Sequence, residues 1–135
     1  MLTLDYPQRA ALAYVAALAL MAIPLAGNVS VNRRRAKVGI MDGGDAKLAQ
    51  AIRVHGNFSE YAPLAAVLLV AEGVAGASGW AVHATGLAIV AGRLSHAYGL
   101  SHSTGYSPGR YVGTLLTFAS FAIGALTLLW QAFAG

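Results

Sequence analysis

The sequence predicts an all-α membrane protein whose four transmembrane helices form a bundle. Two observations lead to this prediction. The chain of 135 residues is 57% hydrophobic and only 10% charged, whereas a soluble domain carries about 25% charged residues. Its apolar residues are concentrated in four segments, each close to the roughly 20 residues that cross a bilayer. We expect one domain over residues 1–135, with helices at about 6–27, 45–75, 79–100 and 109–133.

The elements follow from these segments in order. The first apolar run, about Ala10–Ala26, is interpreted as a retained helix, because it is long for a signal peptide and no positively charged region precedes it. The second helix starts at the predicted N-cap Asp45 and enters the membrane around Asn57–Glu60. The third run spans about Trp80–Leu100 and the fourth about Tyr111–Phe133. All four are rich in Gly and Ala, which lets helices pack closely in lipid.

Positive charge is concentrated in the first and third connections between these helices. The second connection, about 75–79, contains no Lys or Arg, whereas the first contains Arg33, Arg34, Arg35 and Lys37, and the third leads to Arg110. The positive-inside rule therefore places the first and third connections in the cytoplasm and both termini on the other side. The net charge of +4 then reflects topology, and we expect no nucleic-acid partner.

Several kinds of site are excluded by residue type and spacing. The chain has no cysteine, so any thiol chemistry must come from a ligand. The sequence shows no catalytic triad, paired-carboxylate site or phosphate-binding loop. We expect no metal, because no ligand motif connects the four histidines, which are His55, His83, His96 and His102.

The stretch Arg53–Pro63 does not fit a helix that faces lipid. At about 100° per residue, Arg53, Asn57 and Glu60 share one helical face. Such a face must look into protein or into a wet cavity. Glu60 has two interpretations: a structural carboxylate paired with an arginine of a neighbouring helix, for which Arg93 is the candidate, or a ligand for an ammonium group.

Further ionisable side chains lie toward the same side of the membrane. Arg93 is interpreted first as a structural partner of Glu60 or as a snorkelling residue, and His96, one turn later, as a hydrogen-bonding core residue. Arg110 is a membrane anchor or a ligand contact, and one arginine of the first connection could reach a ligand. Several cations with one strong anion suit a small zwitterionic or polyanionic ligand together with an apolar partner dissolved in lipid.

The stretch Arg53–Pro63 resembles the R-x-x-x-N-x-x-E-x-x-P signature of the MAPEG family, the membrane-associated proteins of eicosanoid and glutathione metabolism. Met41–Asp45 and Arg93–Leu100 are similar to the bacterial branch of this family. The resemblance extends from about Val38 to Thr117. It implies a left-handed four-helix bundle that forms a homotrimer, with glutathione bound between adjacent subunits near the cytoplasmic side.

The resemblance also implies the roles of single residues. Arg110 is similar to the arginine that stabilises the glutathione thiolate, and it is the predicted catalytic residue. His96 and Leu100 stand where eukaryotic members have two tyrosines, while Tyr98 and Tyr106 lie elsewhere. The predicted glutathione-binding residues are Arg53, His55, Asn57, Glu60, Tyr61, Arg93, His96 and Arg34.

The implied function is an integral membrane glutathione transferase that joins the glutathione thiolate to lipophilic electrophiles, with glutathione peroxidase activity as a second reaction. Glutathione is then the co-substrate, and the other partners are lipophilic small molecules, membrane lipid and two further copies of the chain. The expected location is a bacterial inner membrane, with the site facing the cytoplasm and both termini in the periplasm. The alternatives are a non-enzymatic lipid- or glutathione-binding protein of the same fold and a small transporter or channel.

Overall fold

A computed structural model describes residues 3–134 of the chain. These residues form four helices joined by short loops: α1 Tyr6–Ala36, α2 Ala46–Val74, α3 Gly79–His102 and α4 Pro108–Ala134. Helices α2, α3 and α4 begin and end within two residues of the predicted bounds. Helices α1 and α2 each continue through an internal proline, Pro24 and Pro63.

Helix α1 is longer than predicted: it continues to Ala36, whereas the predicted helix ended at about residue 27. The segment 28–36 remains helical, and its polar side chains bond back to the preceding turn: the Ser30 hydroxyl donates to the Ala26 carbonyl and the Asn32 amide to the Asn28 carbonyl. Three arginines lie in the last turn, where their positive charge interacts favourably with the negative end of the helix dipole. The helix ends at Lys37 in the left-handed region, with φ 55°. The predicted basic loop is therefore mainly a basic helix end.

The two helices that bury a charged side chain, Glu72 on α2 and Arg93 on α3, lie at the centre of the bundle. Helices α2 and α3 each contact all three others, whereas within residues 3–134 α1 and α4 do not contact each other. By length and composition, α1 and α4 are apolar enough to cross a membrane, so that test supports two of the four predicted spans. The physical reason is that α2 and α3 can bury polar groups against protein, while the outer helices face their surroundings.

Helices α3 and α4 pack against each other at glycines. A Cβ atom added at Gly113 would lie 2.6 Å from the Gly92 carbonyl oxygen and 2.6 Å from the Cβ of His96. A second close contact brings Gly99 against Gly109. We call the end of the bundle where α1 and α3 finish the basic end, and the opposite end the far end. The glycine contacts hold the start of α4 against α3 at the basic end.

The loop between α1 and α2 is tied down by Asp45. Its side chain caps α2 by accepting the backbone N–H of Leu48 at 2.8 Å, as predicted. The same oxygen lies 2.6 Å from Nη2 of Arg35 on α1. Before it, Gly44 has φ 81°, and its N–H donates to the Asp42 carboxylate. This network fixes the end of α1 relative to the start of α2.

Candidate functional site

The α2 face predicted from the sequence carries an exposed ion pair. Nη1 of Arg53 lies 2.7 Å from Oε1 of Glu60, and the two side chains are 59% and 49% exposed. The residues are two helical turns apart on one face, as their spacing requires. The expected pairing of Glu60 with Arg93 is therefore corrected: the partner of Glu60 is on its own helix.

Arg93 instead bonds to Asn57. Both residues are buried, at 2% and 7% exposure, and Nη1 of Arg93 donates to the Asn57 side-chain oxygen at 2.7 Å. Nη2 donates to the Gly113 carbonyl at 3.4 Å, and the guanidinium lies over the Tyr61 ring, 5.1 Å from its centroid. Such a cation over an aromatic face is stabilised electrostatically. Arg93 thus joins α2, α3 and α4 at the centre of the bundle.

An open cavity of about 360 Å³ lies at the basic end between α3 and α4. Arg110 is one of its walls, and its Nη1 donates to the backbone carbonyls of Thr104 and Gly105. These bonds orient the guanidinium and use neither Nη2 nor Nε. The cavity is lined by His96, Tyr106, Ser107, Arg110, Tyr111 and Thr114.

His96 is buried, at 7% exposure, and faces this cavity from α3. Its position beside Arg110 follows from the close helix contact, because Gly113 packs on the backbone of His96 and the Ser95 hydroxyl donates to the Gly109 carbonyl at 2.9 Å. A cation, an imidazole and several hydroxyls thus surround one space. Such a set can bind an anionic or thiolate group.

Arg34 and His55 lie apart from this group. Arg34 is exposed near the end of α1, in a separate open cleft of about 580 Å³ whose other lining residues include Arg33 and Lys37. Because α1 and α4 do not touch within the described residues, Arg34 and Arg110 lie on opposite sides of the bundle. His55 is half-buried and lies about 200° around α2 from Arg53. A single chain therefore does not bring all the predicted residues to one ligand.

Sequence reasoning missed four residues that line the Arg110 cavity. Tyr106 does not match the tyrosine positions that the resemblance implies, and Ser107, Tyr111 and Thr114 belong to none of the motifs recognised in the sequence. A signal was present: Ser107, Arg110, Tyr111 and Thr114 have the i, i+3, i+4, i+7 spacing of one helical face. Tyr98, by contrast, is exposed and stacks on His102, with ring centroids 4.2 Å apart.

Two outer helices that are long and apolar enough to span a membrane, around two central helices that bury Glu72 and Arg93, define a helical membrane protein. The sequence profile of the MAPEG family matches residues 11–130, and the chain belongs to the MAPEG family. It is 36% identical to the inner membrane protein YecN of Escherichia coli K12 over 117 residues, which are 87% of this chain and 88% of that protein. YecN of the O6:H1 strain matches with the same identity and coverage.

The family membership confirms the resemblance found in the sequence. Membership of the MAPEG family indicates a membrane protein of the type found in glutathione and eicosanoid metabolism. The name of the relative gives a location, the inner membrane, and states no reaction.

Proposed function

We propose that the chain is a glutathione transferase of a bacterial inner membrane, with four membrane spans and its site facing the cytoplasm. The observation that carries the proposal is the cavity in which Arg110 lies with His96 and two tyrosines. The location is supported by the name of YecN. The orientation, with both termini periplasmic, is supported by the Lys and Arg residues gathered at the basic end.

The reaction requires the thiolate of glutathione. A free cysteine thiol has a pKa of about 8.5, so only a few per cent is ionised at neutral pH. A guanidinium within hydrogen-bonding distance favours the anion, and Arg110 has donors that its loop contacts do not use. The thiolate sulfur attacks an electrophilic carbon, the C–S bond forms, and the leaving group departs with its electron pair. For a peroxide substrate, the thiolate attacks one peroxide oxygen, the O–O bond breaks and the alcohol leaves, and a second glutathione then reduces the resulting sulfenic acid to give glutathione disulfide and water.

The rest of glutathione carries two carboxylates and one ammonium group at neutral pH. Arg53 offers a guanidinium to a carboxylate, and Glu60 offers a carboxylate to the ammonium. These two side chains are half exposed and paired with each other. Binding then exchanges one internal ion pair for two pairs with the ligand, so no isolated charge is left behind.

We further propose that each site is shared between two subunits of a homotrimer. Arg53, Glu60 and Arg110 belong to α2 and α4, whereas Arg34 is on α1, on the opposite side of the bundle from α4. In the proposed trimer a neighbouring chain brings Arg34 and His55 to the same glutathione. In this arrangement Asn57 and Arg93 act mainly by holding Tyr61 and the two central helices in place.

The test is conjugation of glutathione to 1-chloro-2,4-dinitrobenzene by the purified protein in detergent. We expect turnover above the uncatalysed rate, and Arg110→Ala should lower the rate at least tenfold, about 1.4 kcal/mol of transition-state stabilisation, while glutathione still binds. Arg9→Ala is the matched control, because Arg9 is an exposed arginine at the far end. Equal rates for wild type and Arg110→Ala would refute the catalytic role.

The second candidate is a glutathione- or lipid-binding protein without turnover. It is favoured by one observation: a histidine, His96, stands in the cavity where the resemblance leads one to expect a tyrosine. Calorimetric titration separates the candidates. Glutathione heat without conjugation would support a binding protein, and no heat at millimolar glutathione would leave lipid as the ligand.

A further inference from the structure

Two tyrosines and a histidine form a cluster at the far end that the proposed reaction does not use. The hydroxyl of Tyr6 lies 2.7 Å from Nε2 of His83, and the hydroxyl of Tyr14 lies 2.7 Å from Nδ1 of the same ring. Both imidazole nitrogens therefore bond to a phenol. His83 and His96 are about 20 Å apart along α3, so this cluster is remote from the Arg110 cavity.

The cluster is held in place by packing. A Cβ atom added at Gly79 would lie 2.9 Å from the Tyr6 ring, and one added at Gly86 would lie 2.2 Å from the Tyr14 ring. The two phenol rings thus occupy space that is free because α3 carries glycine at these positions. The helix turn that carries Tyr6 is fixed by the Asp5 capping box. A preorganised polar group of this kind is suited to binding.

A separate cavity of about 350 Å³ adjoins the cluster and is lined by Tyr6, Gly79, Trp80 and His83. This volume is within the range of small-molecule sites, about 300–1,000 Å³. None of these lining residues carries a carboxylate, an ammonium or a guanidinium group, which favours a neutral ligand. Trp80 is 87% exposed, and its indole offers a flat apolar face beside the cavity.

The cluster has one more hydrogen-bond donor hydrogen than its internal hydrogen bonds use. A neutral imidazole has one N–H donor and one acceptor nitrogen, and each phenol has one O–H. Three hydrogens are therefore available for two hydrogen bonds, and one phenol keeps an unused O–H. Tyr14 is half-buried, and within residues 3–134 its hydroxyl has no partner besides His83. The unused hydrogen is better placed on Tyr6, which lines the cavity and is 59% exposed.

We propose that the far end of the bundle binds a neutral, planar, lipid-soluble carbonyl compound of the quinone class. The carbonyl oxygen accepts the free hydrogen of the Tyr6 hydroxyl, and the ring lies against Trp80. Tyr14 is a positioning residue: it donates to Nδ1 of His83, so that Nε2–H donates to Tyr6 and leaves the Tyr6 hydrogen free. This site is independent of the glutathione transferase proposal and lies at the other end of the molecule.

The test follows the fluorescence of Trp80 in protein carrying Trp130→Phe, which leaves Trp80 as the only tryptophan. The protein is placed in vesicles of ether-linked phospholipid, without glutathione, and titrated with duroquinone. We expect quenching that saturates. Tyr6→Phe should weaken binding about fivefold, the effect of one net hydrogen bond. Tyr14→Phe should also weaken it, because Tyr6 is then free to donate to the imidazole.

Controls separate this site from quinone dissolved in the bilayer. Tyr98→Phe is the matched control, since Tyr98 is an exposed tyrosine beside His102 at the basic end, and it should leave binding unchanged. Durene has the methyl groups of duroquinone but no carbonyl, so it should not displace bound duroquinone. Unsaturable quenching, equal affinity in Tyr6→Phe, or displacement by durene would each overturn the proposal. Loss of binding in ester-linked lipid would assign the site to the lipid ester carbonyl and overturn the quinone assignment.

Discussion

At the scale of single residues, Arg53 and Arg93 differ in burial and in hydrogen-bond partner. Arg53 is exposed and pairs with Glu60 across two turns of one helix, so it is available to a ligand. Arg93 is buried and its Nη1 bonds to Asn57. The same residue type is thus accessible to a ligand in one place and packed inside the bundle in the other, and burial is what separates the two.

This difference predicts opposite effects of substitution. Asn57→Ala should lower the free energy of unfolding by about 2–3 kcal/mol, because it leaves the buried Arg93 guanidinium without its main acceptor. Arg53→Ala should lower it by less than about 1 kcal/mol, since exposed ion pairs contribute little, yet should weaken glutathione binding. Reversible unfolding in mixed micelles measures the first pair of values and calorimetry the binding. Equal destabilisation by the two changes would contradict the assignment.

At the scale of elements, the α3–α4 contact determines where Arg110 lies. Gly113→Ala should destabilise the protein by about 3 kcal/mol, the upper part of the range for overpacking, because the new Cβ meets backbone of α3 that cannot move aside. Gly27→Ala is the matched control: nothing lies within 4 Å of its new Cβ. It should be neutral or stabilising by up to about 1 kcal/mol. Unfolding midpoints would test both, and similar losses would refute the contact argument.

The connection between α1 and α2 should respond to acid. The backbone N–H of Leu48 contributes most to lowering the pKa of Asp45 below its usual value of 3.8, and the Arg35 guanidinium adds to it. A lowered folded-state pKa stabilises the protein above the unfolded-state pKa, and this contribution is lost as pH falls through the folded-state value. The stability advantage of wild type over Asp45→Asn should therefore be constant from pH 7 to 5 and shrink below 3.8. An advantage that grows on acidification would contradict this cause.

At the scale of the whole molecule, the proposed shared site predicts complementation between subunits. Arg34→Glu and Arg110→Ala chains should each be weakly active alone. Co-expressed at equal levels, they should recover about a quarter of the wild-type rate, because in a symmetric trimer that fraction of interfaces receives both intact residues. Native mass spectrometry would verify the trimer.

A control co-expression tests whether activity returns merely because two variant chains are expressed together. Arg110→Ala chains combined with the double variant Arg34→Glu/Arg110→Ala form no intact interface and should stay inactive. If the first mixture is no more active than its components, Arg34 and Arg110 do not act in one site shared between chains.

Local signals were enough to predict the helices α2, α3 and α4, the polar face of α2 and the family. Apolar runs, the Asp45 cap and the R-x-x-x-N-x-x-E-x-x-P spacing are each contained in one stretch of chain. Helix α1 was predicted too short because Gly27 and the polar residues after it are typical of loops. In the structure these residues continue the helix, and the Ser30 and Asn32 side chains donate to carbonyls of the preceding turn instead of ending it.

The hydrogen-bond partners of the buried groups could not be predicted from the sequence. From the sequence we expect Arg93 to pair with Glu60, whereas the structure pairs it with Asn57, and this outcome depends on the register in which α2 and α3 pack. The Arg110 cavity depends on glycine contacts between α3 and α4, and the Tyr6–His83–Tyr14 cluster joins residues from two helices far apart in sequence. Such contacts are set by how the helices pack against one another, which no local pattern specifies.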